Sequence, residues 1–161
     1  MSTLPAKYYP AYQFIMESNA IENVCRHPTE AECIEHIRFL KLIAPSIQDL
    51  EQFVSVYEPG AKLRTMSGAN VRVGGRTCPV GGPAVGYALE ELLWDAKHSQ
   101  DTPFEIHLRY ELLHPFTDCN GRSGRMLWAW QIYYNSDRKH SPAEFLRLWY
   151  YESLRRASYG Q

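Results

Sequence analysis

Signals for the start of an α-helix recur along this chain and constrain it to a mainly α-helical fold. Segments 29–32 (TEAE) and 102–105 (TPFE) each place Thr at the N-cap and Glu three residues later. In such a capping box, each of the two side chains accepts a hydrogen bond from a backbone N–H that the helix itself leaves unpaired. Pro103 strengthens the second signal because proline is favoured at the first helical position. Segment 141–144 (SPAE) repeats the pattern and predicts one more helix.

Apolar residues recur at helical spacing downstream of these signals. One such series spans residues 33–44, and Pro45 is predicted to close it because proline lacks the N–H that a helix interior needs. Segment 126–134 is apolar nearly all round, which is typical of a helix buried at the centre of a domain. Together the patterns predict helices over residues 29–45, 46–57, 85–96, 102–113 and 121–135.

A glycine-rich stretch interrupts the helical patterns at residues 59–83. Within it, only Val71, Arg72 and Val73 alternate as a β-strand does. We therefore predict a long surface loop that carries a small β-hairpin. Loops of this length inside compact domains are usually functional or disordered.

Composition places the chain among globular proteins. It has 161 residues, of which 45% are hydrophobic and 22% charged, which suits one domain with one core. A net charge of −1 gives no basic field, so no nucleic-acid partner is expected. No apolar run reaches the ~20 residues that a membrane-spanning helix needs, and no secretory signal is visible. We therefore expect a cytoplasmic protein without a membrane partner, whose four cysteines (25, 33, 78 and 119) are free thiols.

Residues 114–125 (HPFTDCNGRSGR) gather the side chains that carry chemistry. They combine an imidazole, a carboxylate, an amide and two guanidinium groups at a junction between a loop and a helix. If Asn120 caps that helix, the N–H groups of residues 121–123 point outward and form an anion site together with the helix dipole. Gly121 lets a phosphate approach the backbone closely.

Each remaining group of this segment suits one part of a reaction on a phosphate. Arg122 and Arg125 are three residues apart, so they can share a helix face and fork hydrogen bonds onto phosphate oxygens. Asp118 beside a polyphosphate suits Mg²⁺, which favours one or two carboxylates together with substrate oxygens. His114 carries an imidazole, whose ordinary pKa lies near neutrality and makes it a proton acceptor. The set predicts attack of a deprotonated hydroxyl on a phosphate.

The same segment resembles the signature of the Fic (Fic/Doc) family, His-x-Phe-x-Asp/Glu-Gly-Asn-Gly-Arg-x-x-Arg. The positions that match in register are His114, Phe116, Asp118, Asn120, Gly121, Arg122 and Arg125. The resemblance covers residues 18–150 and includes the glycine-rich hairpin, which is similar to the flap of the family. It implies a mainly α Fic-type helical bundle with a small β-hairpin flap. It also implies one domain over residues 1–161, with an N-terminal inhibitory helix at 8–26, a Fic core at 29–158 and a flap at 60–82.

Most members of that family transfer AMP from ATP to a Tyr, Thr or Ser of a target protein. The resemblance therefore implies a protein adenylyltransferase that uses ATP and Mg²⁺. His114 would deprotonate the target hydroxyl, and Asp118 would hold Mg²⁺. Val71, Arg72 and Val73 of the flap would pair with the target backbone as an added strand. The target is another protein or the chain itself, and a homodimer stays open. The residues that the resemblance places at the nucleotide phosphates are Asn120, Gly121, Arg122, Ser123, Gly124 and Arg125.

Cys119 departs from the signature, which usually has Gly at that position. A backbone with φ > 0 there would cost a Cys about 1 kcal/mol or more. Three alternatives to AMP transfer from ATP therefore stay open: another nucleotide donor, removal of AMP from a modified target, and a catalytically impaired binding protein. Gly121 is present, whereas a member that transfers phosphate lacks this second Gly of the signature. Its presence favours nucleotide transfer.

Segment 18–23 (SNAIEN) is similar to the inhibitory motif of the family, Ser/Thr-x-x-x-Glu-Gly/Asn. Its place ahead of the core resembles the class with an N-terminal inhibitory helix. Ser18 and Glu22 are four residues apart and therefore lie on one helix face. By the resemblance, Glu22 pairs with Arg125 and takes the place of the γ-phosphate, so that ATP binds with its α-phosphate misaligned. The resemblance thus marks Ser18, Glu22 and Asn23 as inhibitory residues.

Overall fold

A computed structural model of the chain describes residues 5–139. These residues form six α-helices, one 3-10 helix and one two-stranded antiparallel sheet, so the predicted mainly α fold with a small hairpin is confirmed. The helix predicted from Ser141 and the end of the expected core, 140–158, lie outside the described residues. In chain order the elements are a 3-10 helix (Ala6–Tyr8), α1 (Tyr9–Ile21), α2 (Glu30–Leu40), α3 (Ile47–Tyr57), β1 (Arg72–Val73), β2 (Arg76–Thr77), α4 (Pro83–His98), α5 (Pro103–Leu113) and α6 (Asn120–Asn135).

Capping boxes begin three of these helices. In each box the hydroxyl of the N-cap residue accepts the N–H of the acidic residue at N3, whose carboxylate accepts the N–H of the N-cap residue. The pairs are Thr29 with Glu32 in α2, Ser46 with Asp49 in α3, and Thr102 with Glu105 in α5. The helix starts predicted from the sequence are therefore confirmed at these positions.

Two helices end earlier than predicted. α2 stops at Leu40 and does not continue to residue 45, because the next two N–H groups bond three residues back in a tighter turn. The indole N–H of Trp130 then bonds to the Leu42 carbonyl and ties this turn to α6. α1 stops at Ile21 and does not reach residue 26, because Asn23 adopts the left-handed conformation at φ = 58°, which ends a right-handed helix.

Helix α6 lies at the centre of the fold. It contacts α1, α2, α3 and α5, while α4 covers the outer side of α5. Met126, Leu127, Ala129 and Trp130 are fully buried, which confirms the central helix predicted over this part of α6. The predicted apolar face of α4 is also buried, and its members are Val85, Leu89, Leu92, Leu93 and Ala96.

Two further features of the described residues bear on the sequence analysis. No helix among residues 5–139 is both long enough and apolar enough to cross a lipid bilayer. All four cysteines, which lie within this range, are free thiols as predicted.

Candidate active site

An open cleft of about 330 Å³ lies at the N-terminal end of α6. Flap residues Val71 and Arg72 line one side of it, and residues 117–122 line the other together with His114. Glu22, directly after the last residue of α1, also borders the cleft. The fold thus brings the flap, the signature segment and the segment with the inhibitory motif to one place.

A buried arginine fixes the flap to the loop that begins at His114. Arg64 is fully buried. Its guanidinium donates hydrogen bonds to four carbonyl oxygens, those of Ala69 and Pro79 in the flap and those of Leu113 and His114 at the end of α5. Sequence analysis assigned no role to Arg64, and no signal marks it, since its partners are backbone oxygens that every sequence carries.

Asn120 braces this loop and does not cap α6, so the predicted cap is wrong. The helix begins at Asn120, and Cys119 is its N-cap residue. The side-chain oxygen of Asn120 accepts the N–H of Phe116, and its NH₂ group donates to the Phe116 carbonyl, each over 2.8 Å. Because Asn120 is 2% exposed and both ends of its amide are engaged, its side chain holds the loop shape.

Cys119 adopts the left-handed conformation that a glycine in the signature favours, with φ = 67°. Its side chain is buried in the core, and this burial raises the pKa of the thiol to about 12. Its backbone N–H bonds to the carboxylate of Asp118. Cys119 is therefore an unreactive packed thiol, at a backbone position where a side chain costs about 1 kcal/mol.

His114 stands at the cleft as a neutral imidazole. It is the C-cap residue of α5, at φ = 49°. Burial lowers the pKa of His114 below its ordinary value, and the charges of Arg64 and Arg76 act in the same direction. Its Nδ1 is buried, which leaves Nε2 as the nitrogen that a ligand can reach. A neutral imidazole at this position can accept a proton from a bound hydroxyl.

The two arginines of the signature do not share one free face. Arg122 lines the cleft, and its Nη2 lies 3.3 Å from Oε2 of Glu58, the residue after α3. Arg125 points toward α1 and is fully buried. Its Nε donates to Oγ of Ser18 (2.8 Å), and its Nη2 donates to the Ser18 carbonyl (3.0 Å) and to Oε1 of Glu22 (2.7 Å). The predicted Glu22–Arg125 pair is therefore present, whereas the joint approach of both arginines to the cleft is not.

The carboxylate of Glu22 lies against the first turn of α6. A Cβ atom on Gly121 would collide with Oε1 of Glu22 and come within 3.0 Å of Nη1 of Arg125. The carboxylate therefore occupies the end of the helix where the unpaired N–H groups and the dipole favour an anion. Since the Glu22 side chain is 38% exposed, it can leave this position without unfolding the core.

Ser123 and Gly124 face α5 and do not line the cleft. Oγ of Ser123 bonds to the Cys119 carbonyl and to the hydroxyl of Tyr110, each over 2.8 Å. A Cβ atom on Gly124 would lie 2.9 Å from both Cδ1 of Tyr110 and Oε1 of Glu111. These two positions let α5 and α6 approach closely, and their predicted contact with phosphate has no counterpart in this geometry.

Asp118 presents the carboxylate at the exposed wall of the cleft. Within residues 5–139, no three His, Cys, Asp or Glu side chains gather into a group that could hold a metal ion. A single carboxylate suits Mg²⁺ when substrate oxygens and water complete its coordination, as beside a polyphosphate.

The hairpin presents a free strand edge beside the cleft. In the sheet, Arg72 lies opposite Thr77 and Val73 opposite Arg76. β1 pairs with β2 alone among the described residues, so the N–H and C=O groups on its other edge are open to a further strand. Comparison with known proteins adds no family to this description: no protein-family model matches the chain, and no curated protein matches it.

Proposed function

We propose that this chain is a Fic-type protein adenylyltransferase, which transfers AMP from ATP to a hydroxyl group of a protein target and is held inactive by Glu22. One observation carries the proposal: the Glu22 carboxylate and Arg125 are paired over the first turn of α6, beside a cleft that contains His114 and Asp118. A carboxylate at an anion site, next to a neutral base and a carboxylate suited to Mg²⁺, is the arrangement expected of an inhibited phosphate-binding enzyme.

In the reaction, Nε2 of His114 accepts the proton of the target hydroxyl. The hydroxyl oxygen forms a bond to the α-phosphorus of ATP, the bond from that phosphorus to the bridging oxygen breaks, and pyrophosphate leaves. The N–H groups of the first turn of α6 and the guanidinium of Arg122 stabilise the charge on the phosphate oxygens. Asp118 would hold Mg²⁺, whose charge offsets that of the phosphates.

Inhibition follows from competition between two anions. A γ-phosphate that binds Arg125 must displace the Glu22 carboxylate, since like charges in one site repel each other. While Glu22 stays in place, the triphosphate is shifted and its α-phosphorus is not aligned with His114. Loss of the carboxylate should therefore raise activity.

The test is incorporation of label from ATP labelled at the α-phosphate. Glu22→Gly should incorporate at least about 10-fold more label than the wild type, which corresponds to about 1.4 kcal/mol of competition. Glu22→Gly combined with His114→Ala should return to background, and Glu51→Gly, at an exposed position of α3, controls for an unspecific effect. UTP, GTP and a choline nucleotide test other donors in the same assay. A folded Glu22→Gly protein that incorporates label from none of them would overturn the proposal.

A second candidate is a protein that binds nucleotide without transferring it, and the left-handed backbone of Cys119 favours this reading. The strained residue lies between Asp118 and the first turn of α6, so a small shift there moves both the metal ligand and the anion site. Cys119→Gly in the Glu22→Gly background separates the two candidates. Transfer that appears only with Gly at this position, while ATP binds to both forms, supports the impaired binding protein as the natural state.

A further inference from the structure

The flap carries positive charge without any compensating acid. Residues 60–82 contain four basic residues and no acidic one, although the net charge of the whole chain is −1. Arg64 is buried among carbonyl groups, whereas Lys62, Arg72 and Arg76 are exposed. Any segment that adds to the edge of the hairpin therefore meets a basic surface.

Arg72 differs from the other arginines of residues 5–139. It is exposed on β1, lines the cleft and has neither an ion pair nor a hydrogen bond within these residues. The other arginines in this range are each bound to a carboxylate or to a backbone carbonyl, and they are Arg26, Arg38, Arg64, Arg76, Arg109, Arg122, Arg125 and Arg138.

The carboxylates of the cleft are already engaged and do not need Arg72. Glu22 accepts from Arg125, and the Asp118 carboxylate accepts the N–H of Cys119. Glu58, which borders Arg122, forms an ion pair with it. The guanidinium of Arg72 is thus left for a group that comes from outside the chain.

The position of Arg72 limits what that group can be. It belongs to β1, whose open edge lies beside the cleft with His114. In an added strand, side chains two residues apart point to the same face, so residues that flank the reacting hydroxyl pass along the flap. A carboxylate among them would accept the forked hydrogen bonds of the guanidinium.

We propose, resting on the proposed adenylyl transfer, that the flap selects target segments with Asp or Glu near the modified hydroxyl, and that Arg72 is the residue that recognises this carboxylate. The substrate class is then an extended acidic segment of a protein. Exposed pairs of this kind contribute modestly, so we expect a preference of about 3- to 10-fold in kcat/KM.

The experiment uses full-length Glu22→Gly protein, α-labelled ATP and extended peptides with one Tyr. Three peptides differ only in the residues beside the Tyr, which are Asp and Glu, Asn and Gln, or Lys. The acidic peptide should be labelled best, Arg72→Gln should make the acidic and amide peptides equal, and Arg72→Glu should favour the Lys peptide. Lys62→Gln, an exposed basic residue of the flap outside the hairpin, should keep the acidic preference.

Equal labelling of the acidic and amide peptides would overturn the inference. So would an Arg72→Gln variant that keeps the acidic preference but raises the KM for ATP, because Arg72 would then be a nucleotide ligand. If no peptide is labelled, the proposed function fails, and fluorescence polarisation of the same peptides without nucleotide still decides the role of Arg72. Tighter binding of the acidic peptide that is lost in Arg72→Gln supports it, and equal binding refutes it.

Discussion

Removal of the negative charge of Glu22 is the sharpest physical test of the contact at the start of α6. In Glu22→Gln, the fully buried Arg125 loses its carboxylate but keeps two oxygen acceptors on Ser18. Loss of one partner of a buried ion pair commonly costs about 3–5 kcal/mol. The Glu22 side chain is 38% exposed, so water screens the pair and partly replaces the lost oxygen. We therefore expect the free energy of unfolding to fall by about 1–2 kcal/mol.

ATP should change in the opposite direction. In the wild type its phosphates must displace the Glu22 carboxylate from Arg125, whereas in Glu22→Gln they restore a missing counter-charge. The same 1–2 kcal/mol then appears as tighter binding, a decrease of about 5- to 30-fold in the Kd for ATP. A ligand at 100 times its Kd stabilises the folded state by about 2.7 kcal/mol, so ATP should more than compensate for the substitution.

The assay combines urea denaturation with titration calorimetry, each with and without ATP and Mg²⁺. Glu51→Gln, at an exposed position of α3, is the matched control and should change neither quantity. A Glu22→Gln protein that is as stable as the wild type, with the same Kd for ATP, would refute the reasoning. Weaker ATP binding in the variant would do so more directly, since Glu22 would then help to hold the nucleotide.

Three further predictions test the packing around the site. Gly121→Ala should destabilise the wild type by about 1–3 kcal/mol but cost less in the Glu22→Gly background, where the colliding oxygen is gone; a double-mutant cycle in urea measures this coupling, and simple additivity would contradict it. Arg64→Lys should lower the free energy of unfolding by about 2–4 kcal/mol and speed hydrogen exchange in the flap, because one ammonium group does not reach four carbonyls; unchanged exchange would argue against this role. Burial lowers the pKa of His36 to about 3, so the unfolded chain binds more protons between pH 6.5 and 3, and stability should fall with pH by about 2 kcal/mol at pH 5. His36→Met should flatten this slope in denaturation curves, whereas a change at the exposed His98 should not.

The helix starts were readable from the sequence because both partners of a capping box lie within one turn. Thr29 and Thr102 each need only the acidic residue three positions later, so the local sequence contains the whole interaction. The buried face of α4 was equally readable, since helical periodicity alone fixes which side chains share a side.

The roles inside the signature segment were less readable. The sequence places an amide, two arginines and two small residues in one short stretch, but it does not state which way each side chain points. Asn120 turned back to the Phe116 backbone, and Ser123 turned to Tyr110, because the loop and α5 offered buried partners at hydrogen-bonding distance. A helix with neighbours on several sides leaves only part of its surface for a ligand.

The sequence by itself determined the helices, the hairpin and the set of groups with chemical potential at residues 114–125, because those properties depend on neighbours along the chain. Tertiary structure alone decided that Arg125, 103 residues from Glu22, is held by that carboxylate, that Arg64 joins the flap to the loop before α6, and that Arg72 is left without a partner. Hydrogen bonds and charges act over a few ångströms of space, and the fold sets which residues lie within that distance.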